Sequence, residues 1–508
     1  MTPPTIPHIA QAAAHRWGDA PAIIDAGETW SFSELWTRAR AAAAAFLVFG
    51  IVKGDRVSIW APNGRDWVVT AIGAQIAGAA IVPLNTRLKG REAGDILRRT
   101  GARMLFTVDD FLDTNYPALL QDEALPALEM IVRFDHDWPD FIARGMDIGD
   151  HAIDAALAVL TAGDLSDIMF TSGTTGSPKG VMMTHGRVLP QFENWIKATG
   201  LAAGERYLIV NPFFHSFGFK AGWVACLMAG AVIVPMAVFD AAKAARIIEE
   251  QRIAFLPGAP TVFQALLAEK QIRPFDSSSL RGGTTGAAVV PPILIERIRA
   301  ELGMKDIITA YGMTECTNIT ACKPGDPVER IANTCGCAIP GHEVRIVSAD
   351  GQEVPRGHAG EIVVRGYGVM LGYLDDPTAT AEAIDSQGWL HTGDIGTMDG
   401  DGYVRITDRM KDMFISGGFN AYPAEVEKLL AGHPAVGQVA VIGVADERMG
   451  EVGKAFIILR PGMAAQATEI IAWCRGNMAN YKVPRSVEFV ESLPLNAAGK
   501  VMKMELRG

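Results

Sequence analysis

Ten residues, Thr171–Gly180 (TSGTTGSPKG), gather glycines, hydroxyls, a proline and a lysine into one short stretch. Apolar Ile168–Phe170 precedes it and Val181–Met183 follows, so the pattern predicts strand, loop, strand. Gly173 and Gly176 allow a ligand close to the backbone. Successive N–H groups in such a loop make an anion-binding concavity. The hydroxyls of Thr171, Ser172, Thr174 and Thr175 add donors, and Lys179 adds a mobile positive charge. The chemistry is a phosphate grip; the plainer alternative is a polar surface turn. The spacing is not that of the commonest nucleotide loop, because Lys179 is followed by Gly180 rather than Ser or Thr.

Four other stretches are dense in small, polar and charged residues at predicted strand ends, where open α/β sheets bind ligands. They are 211–218 (NPFFHSFG), 284–288 (TTGAA), 311–315 (YGMTE) and 391–394 (HTGD), with Arg409 and Lys500 in addition. Each has a bland reading. Asp394 alone is a turn aspartate, Tyr311 a core aromatic, and His215 a packed histidine among phenylalanines. Lys220 and Lys500 alone are surface charges.

These residues need a scaffold, and the flanking pattern predicts one. A helix capped at Ser33 and running to Phe49 is followed by a strand at Val57–Trp60, a helix from Arg65 to Ala79 and a strand at Ile81–Val82. A helix from Arg91 to Thr100 and a strand from Met104 to Val108 continue the alternation, which indicates a parallel α/β sheet. A second α/β run follows the glycine-rich loop: strands at Tyr207–Val210, Ala254–Leu256 and Ile307–Thr309, helices at Ala242–Gln251 and Thr261–Ala268. From about residue 336 short strands with Gly/Asp turns predict a small antiparallel β unit. Beyond Asp412 a helix at Pro423–Leu430, strands at Val439–Val444 and Ala455–Leu459, and a helix at Ala465–Met478 predict a terminal α+β domain.

Composition narrows the function. The 508 residues are 49% apolar and 20% charged, which suits a multi-domain globular protein and not a disordered one. A net charge of −11 argues against a nucleic-acid surface. The six cysteines lack CxxC spacing, and free thiols in a reducing cytoplasm are expected rather than a metal site at Cys335–Cys337. The N-terminal stretch lacks the charged and apolar segments of a signal peptide. Ala221–Val238 is apolar for 18 residues, but Gly230 and Pro235 divide it into a buried helix, a turn and a strand, and no membrane span is expected.

Taken together and in order, the motifs resemble the adenylate-forming superfamily of acyl-CoA synthetases, luciferases and peptide-synthetase adenylation domains, over essentially the whole chain. They are Thr171–Gly180, the loop at His215, Gly286–Ala288, Tyr311–Glu315, Thr392–Asp394, Asp408–Asp412, Gly417–Pro423 and Gly499–Lys500. The resemblance implies an N-terminal domain over 1–408, with two α/β subdomains to about 335 and a small β-barrel subdomain beyond, and a mobile C-terminal domain over 409–508. It implies two steps. A carboxylate attacks the α-phosphate of ATP, releasing pyrophosphate and leaving an acyl adenylate; the thiol of CoA then displaces AMP.

The same resemblance assigns roles. The 171–180 loop would hold the β- and γ-phosphates, Glu315 would bind Mg²⁺ with Thr314 beside it, and Lys500 would bridge carboxylate and α-phosphate. Asp394 and Arg409 would take the ribose, and Tyr311, Gly312, Gly286 and Ala287 the adenine side. His215, Phe217, Gly218, Lys220 and Thr261, with Gly286 and Tyr311, would line the acyl pocket. Lys411 would be the hinge, where the family often has Asp, and Gly417 and Gly418 would line the pantetheine tunnel. Asn211–His215 and Ser416–Glu427 look most like bacterial ligases grouped with fatty-acid activation, some of which act on the propanoate side chain left by steroid-ring degradation. A medium-chain or aromatic acid, or a carrier-protein acceptor, is the alternative. A catalytically silent nucleotide sensor is the rival class. A homodimer is a further expectation.

Overall fold

A computed structural model describes the chain except residues 1–3, 172–177, 287–289, 291, 410, 411, 413, 417, 418, 422, 447, 448, 479, 496–500 and 508; for 408, 409, 415, 419 and 420 it describes the backbone alone.

The first α/β sheet has seven strands, in the order Gly372–Tyr373, Lys179–Thr184, Leu165–Thr171, Ala80–Pro83, Arg56–Trp60, Met104–Thr107 and Met130–Arg133. The last five run parallel, and the first two are antiparallel additions at one edge. The loop 171–180 therefore hangs between Leu165–Thr171 and Lys179–Thr184, as predicted, with Lys179 paired to Thr171. The covering helices explain the alanine run. Helix Phe32–Val48 lies on helix Arg65–Ile76 so closely that a Cβ on Gly73 would come within 2.7 Å of the Ala42 methyl. Its cap is Ser31, not Ser33. The Ser31 hydroxyl accepts from Glu34 N–H and the Glu34 carboxylate accepts from Ser31 N–H, a reciprocal capping box set two residues earlier than expected.

The second α/β layer continues through parallel strands Val232–Pro235, Arg206–Ile209, Gly282–Thr285 and Asp306–Met313. Phe255 makes only single bridges to Tyr207 and Gly282, so the strand expected at Ala254–Leu256 is one link rather than a full ribbon. The apolar run 221–238 divides as its breakers demand: a π-helical turn at Phe219–Val224, helix Ala225–Ala229, Gly230 at φ 77°, then the strand. No helix among the described residues is long and apolar enough to cross a membrane.

The small β unit is a four-stranded antiparallel sheet: His342–Val347, Gly360–Gly366, Leu390–Met398 and Val404–Arg409. The C-terminal unit packs helices Pro423–Leu430 and Ala467–Asn477 on a sheet built around the long hairpin Val436–Asp446 and Gly450–Leu459. All six cysteines are free thiols.

Two histidines, His185 and His342, are enclosed in this fold, His215 is half-buried, and all three are held neutral. Burial lowers His185 to about 3 and His342 to about 4, and burial with the nearby Lys220 charge lowers His215 to about 4. In the unfolded chain they protonate near 6.5. Between that value and the native ones the unfolded state binds more protons, so stability should fall as pH drops from about 6.5 toward 4. Each group adds at most about 1.4 kcal/mol per pH unit to the slope. Urea midpoints measured across this range should show the decline, and a flat profile would mean that these rings are not desolvated.

Candidate active site

The site residues arrive on loops at the carboxyl ends of the parallel strands. Arg206–Ile209 leads into 211–218, the Phe255 link into 257–261, Gly282–Thr285 into Gly286, and Asp306–Met313 into the turn that holds Thr314 and Glu315. Hydrogen bonds fasten these loops to one another. Asn211 Nδ2 donates to Pro257 O at 3.3 Å and Gly258 N–H donates to Thr284 O at 3.0 Å. This brings Thr261, at the start of helix Pro260–Ile272, toward Gly286.

The aromatic loop is clamped by a residue that lies outside every motif. The buried Asn63 accepts from Phe213 N–H at 2.7 Å and donates to Asn211 O at 2.9 Å and Met236 O at 3.1 Å. One side chain thus replaces several backbone partners for an irregular loop. Pro62–Asn63–Gly64 is a turn-type sequence and carries no other signal that could single out Asn63. Gly218 is obligatory here, because a Cβ would lie 2.3 Å from the carbonyl oxygens of both Asn211 and Pro212. His215 Nδ1 accepts from Phe217 N–H at 3.2 Å, which leaves the proton of the neutral ring on Nε2. His215 can therefore donate a hydrogen bond to a carboxylate without forming a full ion pair.

Lys220 departs from both of its readings. It is neither a surface charge nor a free pocket group. It is fully buried, and its Nζ lies 2.8 Å from Oδ1 of the equally buried Asp167. Asp167 sits on Leu165–Thr171, the strand that enters the phosphate loop. The pair ties the turn Phe219–Val224 to that strand.

On the nucleotide side, Tyr311 Oη donates to Asp394 Oδ2 at 2.5 Å in a buried contact. Burial, with the Asp394 charge, pushes the Tyr311 phenol well up, so it stays a donor. The Asp394 backbone N–H is held by Thr392 Oγ1 at 3.1 Å, and Asp394 pairs directly across the sheet with Arg409. Two residues assigned to one ribose are thus cross-strand neighbours, although they lie 15 positions apart in sequence. Gly312 sits at a bulge in the hairpin, where a Cβ would meet Thr317 O at 2.0 Å.

Glu315 is buried beside Thr314, and Tyr373 Oη donates to its Oε1 at 2.9 Å. Lys179 Nζ stands 5.0 Å from the centre of the Tyr373 ring. The exit of the phosphate loop is braced by Arg99, whose Nη1 donates to Pro178 O at 2.6 Å. Neither Tyr373 nor Arg99 was singled out from sequence, since each lies outside the dense motifs.

Ser172, Gly173, Thr174, Thr175, Gly176, Ala287, Lys411, Gly417, Gly418 and Lys500 lie outside the described residues. The residues that flank 496–500 are described. Leu495 bridges antiparallel to Val501, Met502 N–H donates to Pro494 O at 2.8 Å, and Arg87 Nη1 from the N-terminal part donates to Leu495 O at 3.2 Å.

Against this geometry the comparisons are consistent. The AMP-binding enzyme family matches residues 10–374, and the AMP-binding enzyme C-terminal domain matches residues 425–500. The chain is 47% identical over 519 residues to a 3-[(3aS,4S,7aS)-7a-methyl-1,5-dioxo-octahydro-1H-inden-4-yl]propanoyl:CoA ligase of Rhodococcus jostii, covering 99% of this chain and 98% of that one. A ligase of the same name from Mycobacterium tuberculosis is 47% identical over 509 residues, with the same coverage. Among solved structures, the anthranilate CoA ligase AuaEII in complex with anthranoyl-AMP superposes with a TM-score of 0.90 at 28% identity, covering 100% of this chain and 97% of that one.

Proposed function

The chain belongs to the AMP-binding enzyme family, an AMP-forming acid–CoA ligase by that membership, and we propose that the acid it activates is a bicyclic propanoate of the kind its relatives' names describe. The observation that carries the substrate is identity of 47% in a match that spans 99% of the chain, the stretches of the pocket loops and of the nucleotide motifs included.

The residues have distinct tasks. A carboxylate and a polyphosphate repel each other, so the first step needs positive charge and donors around the phosphorus. Lys179 and the loop it closes face the β- and γ-phosphates. Asp394, paired with Arg409 and fixed by Tyr311, accepts the ribose hydroxyls. Glu315 fits Mg²⁺, because Tyr373 occupies only Oε1 and Oε2 takes no hydrogen bond among the described residues. The ion, when bound, supplies charge neutralisation at the phosphate oxygens. His215 donates Nε2–H to the acid. Lys500 bridges the acid and the α-phosphate as the anhydride forms and pyrophosphate leaves. In the second step the CoA sulfur attacks the acyl carbon and AMP departs. Rotation of the C-terminal domain about Lys411 would withdraw Lys500 and bring Gly417 and Gly418 to the pantetheine arm. A homodimer and a cytoplasmic location belong to the same reading.

Purified protein supplied with ATP, Mg²⁺, CoA and the methyl-dioxo-octahydroindenyl propanoate should release AMP and pyrophosphate and form the thioester. Straight-chain and aromatic acids assayed in parallel should give lower kcat/KM. ADP as product would refute the ligase chemistry; equal or better turnover of a medium-chain or aromatic acid would refute the substrate.

A further inference from the structure

Tyr373 lies outside every motif that carries the chemistry, yet it touches two of them. It belongs to the two-residue strand Gly372–Tyr373, the edge of the first sheet, and pairs with Val181 directly after the phosphate loop. Leu374 N–H donates to Gly180 O at 2.7 Å and Leu371 N–H to Met182 O at 2.9 Å, so its backbone is laced to the strand that leaves the loop. Its own N–H donates to Thr380 Oγ1 at 2.9 Å. From this fixed base the side chain crosses to Glu315, where Oη donates to Oε1 at 2.9 Å. Its ring lies beneath Lys179 Nζ at 5.0 Å. Glu315 is further held through its carbonyl, which accepts from Met370 N–H at 2.7 Å.

We propose that Tyr373 is a positioning residue that sets the geometry between the Mg²⁺ carboxylate and the phosphate-loop lysine. The inference rests on the assignment of Glu315 and Lys179 to the Mg²⁺–ATP site. A buried carboxylate rotates unless a donor fixes one oxygen. With Oε1 taken by Tyr373, Oε2 is the oxygen left to the ion, and it is presented in one orientation. The aromatic face meanwhile attracts the ammonium of Lys179 and keeps it on the same side. The two charges that must meet one triphosphate are thus referenced to a single rigid side chain.

The test is calorimetric binding of α,β-methylene-ATP, which cannot be cleaved at the reacting bond, over a series of Mg²⁺ concentrations. Tyr373→Phe keeps the ring and loses only the hydroxyl. It should bind the analogue about tenfold more weakly at limiting Mg²⁺, the scale of a hydrogen bond to a charged group. Saturating Mg²⁺ should restore the affinity, and binding without Mg²⁺ should match the unaltered protein. Tyr373→Leu also removes the ring and should weaken binding even without Mg²⁺. Thioester formation from a supplied acyl adenylate should be unchanged in Tyr373→Phe. Identical Mg²⁺ dependence in Tyr373→Phe and the unaltered protein would overturn the proposal. So would loss that Mg²⁺ cannot rescue, since that is the mark of a packing role. If the unaltered protein fails to bind the analogue at any Mg²⁺ concentration, the nucleotide-site reading itself is wrong.

Discussion

Lys500→Ala is expected to lower the rate of acyl-adenylate formation by at least 100-fold, on the order of the loss from removing one preorganised charge-stabilising group. Thioester formation from a supplied acyl adenylate and CoA should stay within about threefold of the unaltered rate. The asymmetry follows from the charge balance of the two steps. The first joins two anions, and on the proposed assignment Lys500 is the cation that bridges them. The second releases AMP from a preformed anhydride and has no such pair of anions to bring together. Pyrophosphate exchange reads the first step and thioester absorbance the second. Equal loss in both would show that Lys500 supports the fold or the second step instead. The described residues on either side of 496–500 are fixed: Leu495 bridges to Val501, and Arg87 Nη1 donates to Leu495 O.

The Lys220–Asp167 pair predicts the largest effect on stability. Both side chains are fully buried, 2.8 Å apart, and the remaining Asp167 oxygen accepts from the Ser166 hydroxyl. Nζ and Oδ1 make no aligned hydrogen bond, so the contact is held by two close opposite charges. Lys220→Met would leave Asp167 as an uncompensated interior charge, at a cost of about 3–5 kcal/mol. Adding Asp167→Leu should recover most of that loss, because a buried pair replaced by apolar groups of similar size is often neutral or stabilising. Denaturant midpoints of the single and double variants decide the point. A single variant as stable as the unaltered protein would mean that Lys220 is not committed to Asp167 and is available to a substrate. The pair joins the turn Phe219–Val224 to the strand Leu165–Thr171, which runs into the glycine-rich stretch.

Most of the fold was legible in advance, because hydrophobic periodicity and Gly/Pro breakers act locally. The helix at Pro423–Leu430 and the division of the apolar run at Gly230 follow from such signals. The capping residue was misplaced because Ser31 and Ser33 are both good caps, and only Ser31 has Glu34 three residues later to answer it. Phe255 was read as a strand from its apolar neighbours, but pairing is a long-range matter and the structure gives it single bridges.

The order of the motifs along the chain determined the family and, through it, the reaction class; each motif alone kept a bland reading as a turn, a core residue or a surface charge. Tertiary structure decided who holds them. That Tyr311 binds Asp394, that Tyr373 binds Glu315 and leans on Lys179, that Asn63 clamps the aromatic loop and that Lys220 is spent on Asp167 are contacts between residues 53 to 194 positions apart or on separate strands. A tyrosine or lysine in sequence carries its donors but not its neighbours. Burial and distance choose the partner, and the partner sets whether the group binds substrate, orients another side chain or holds the core.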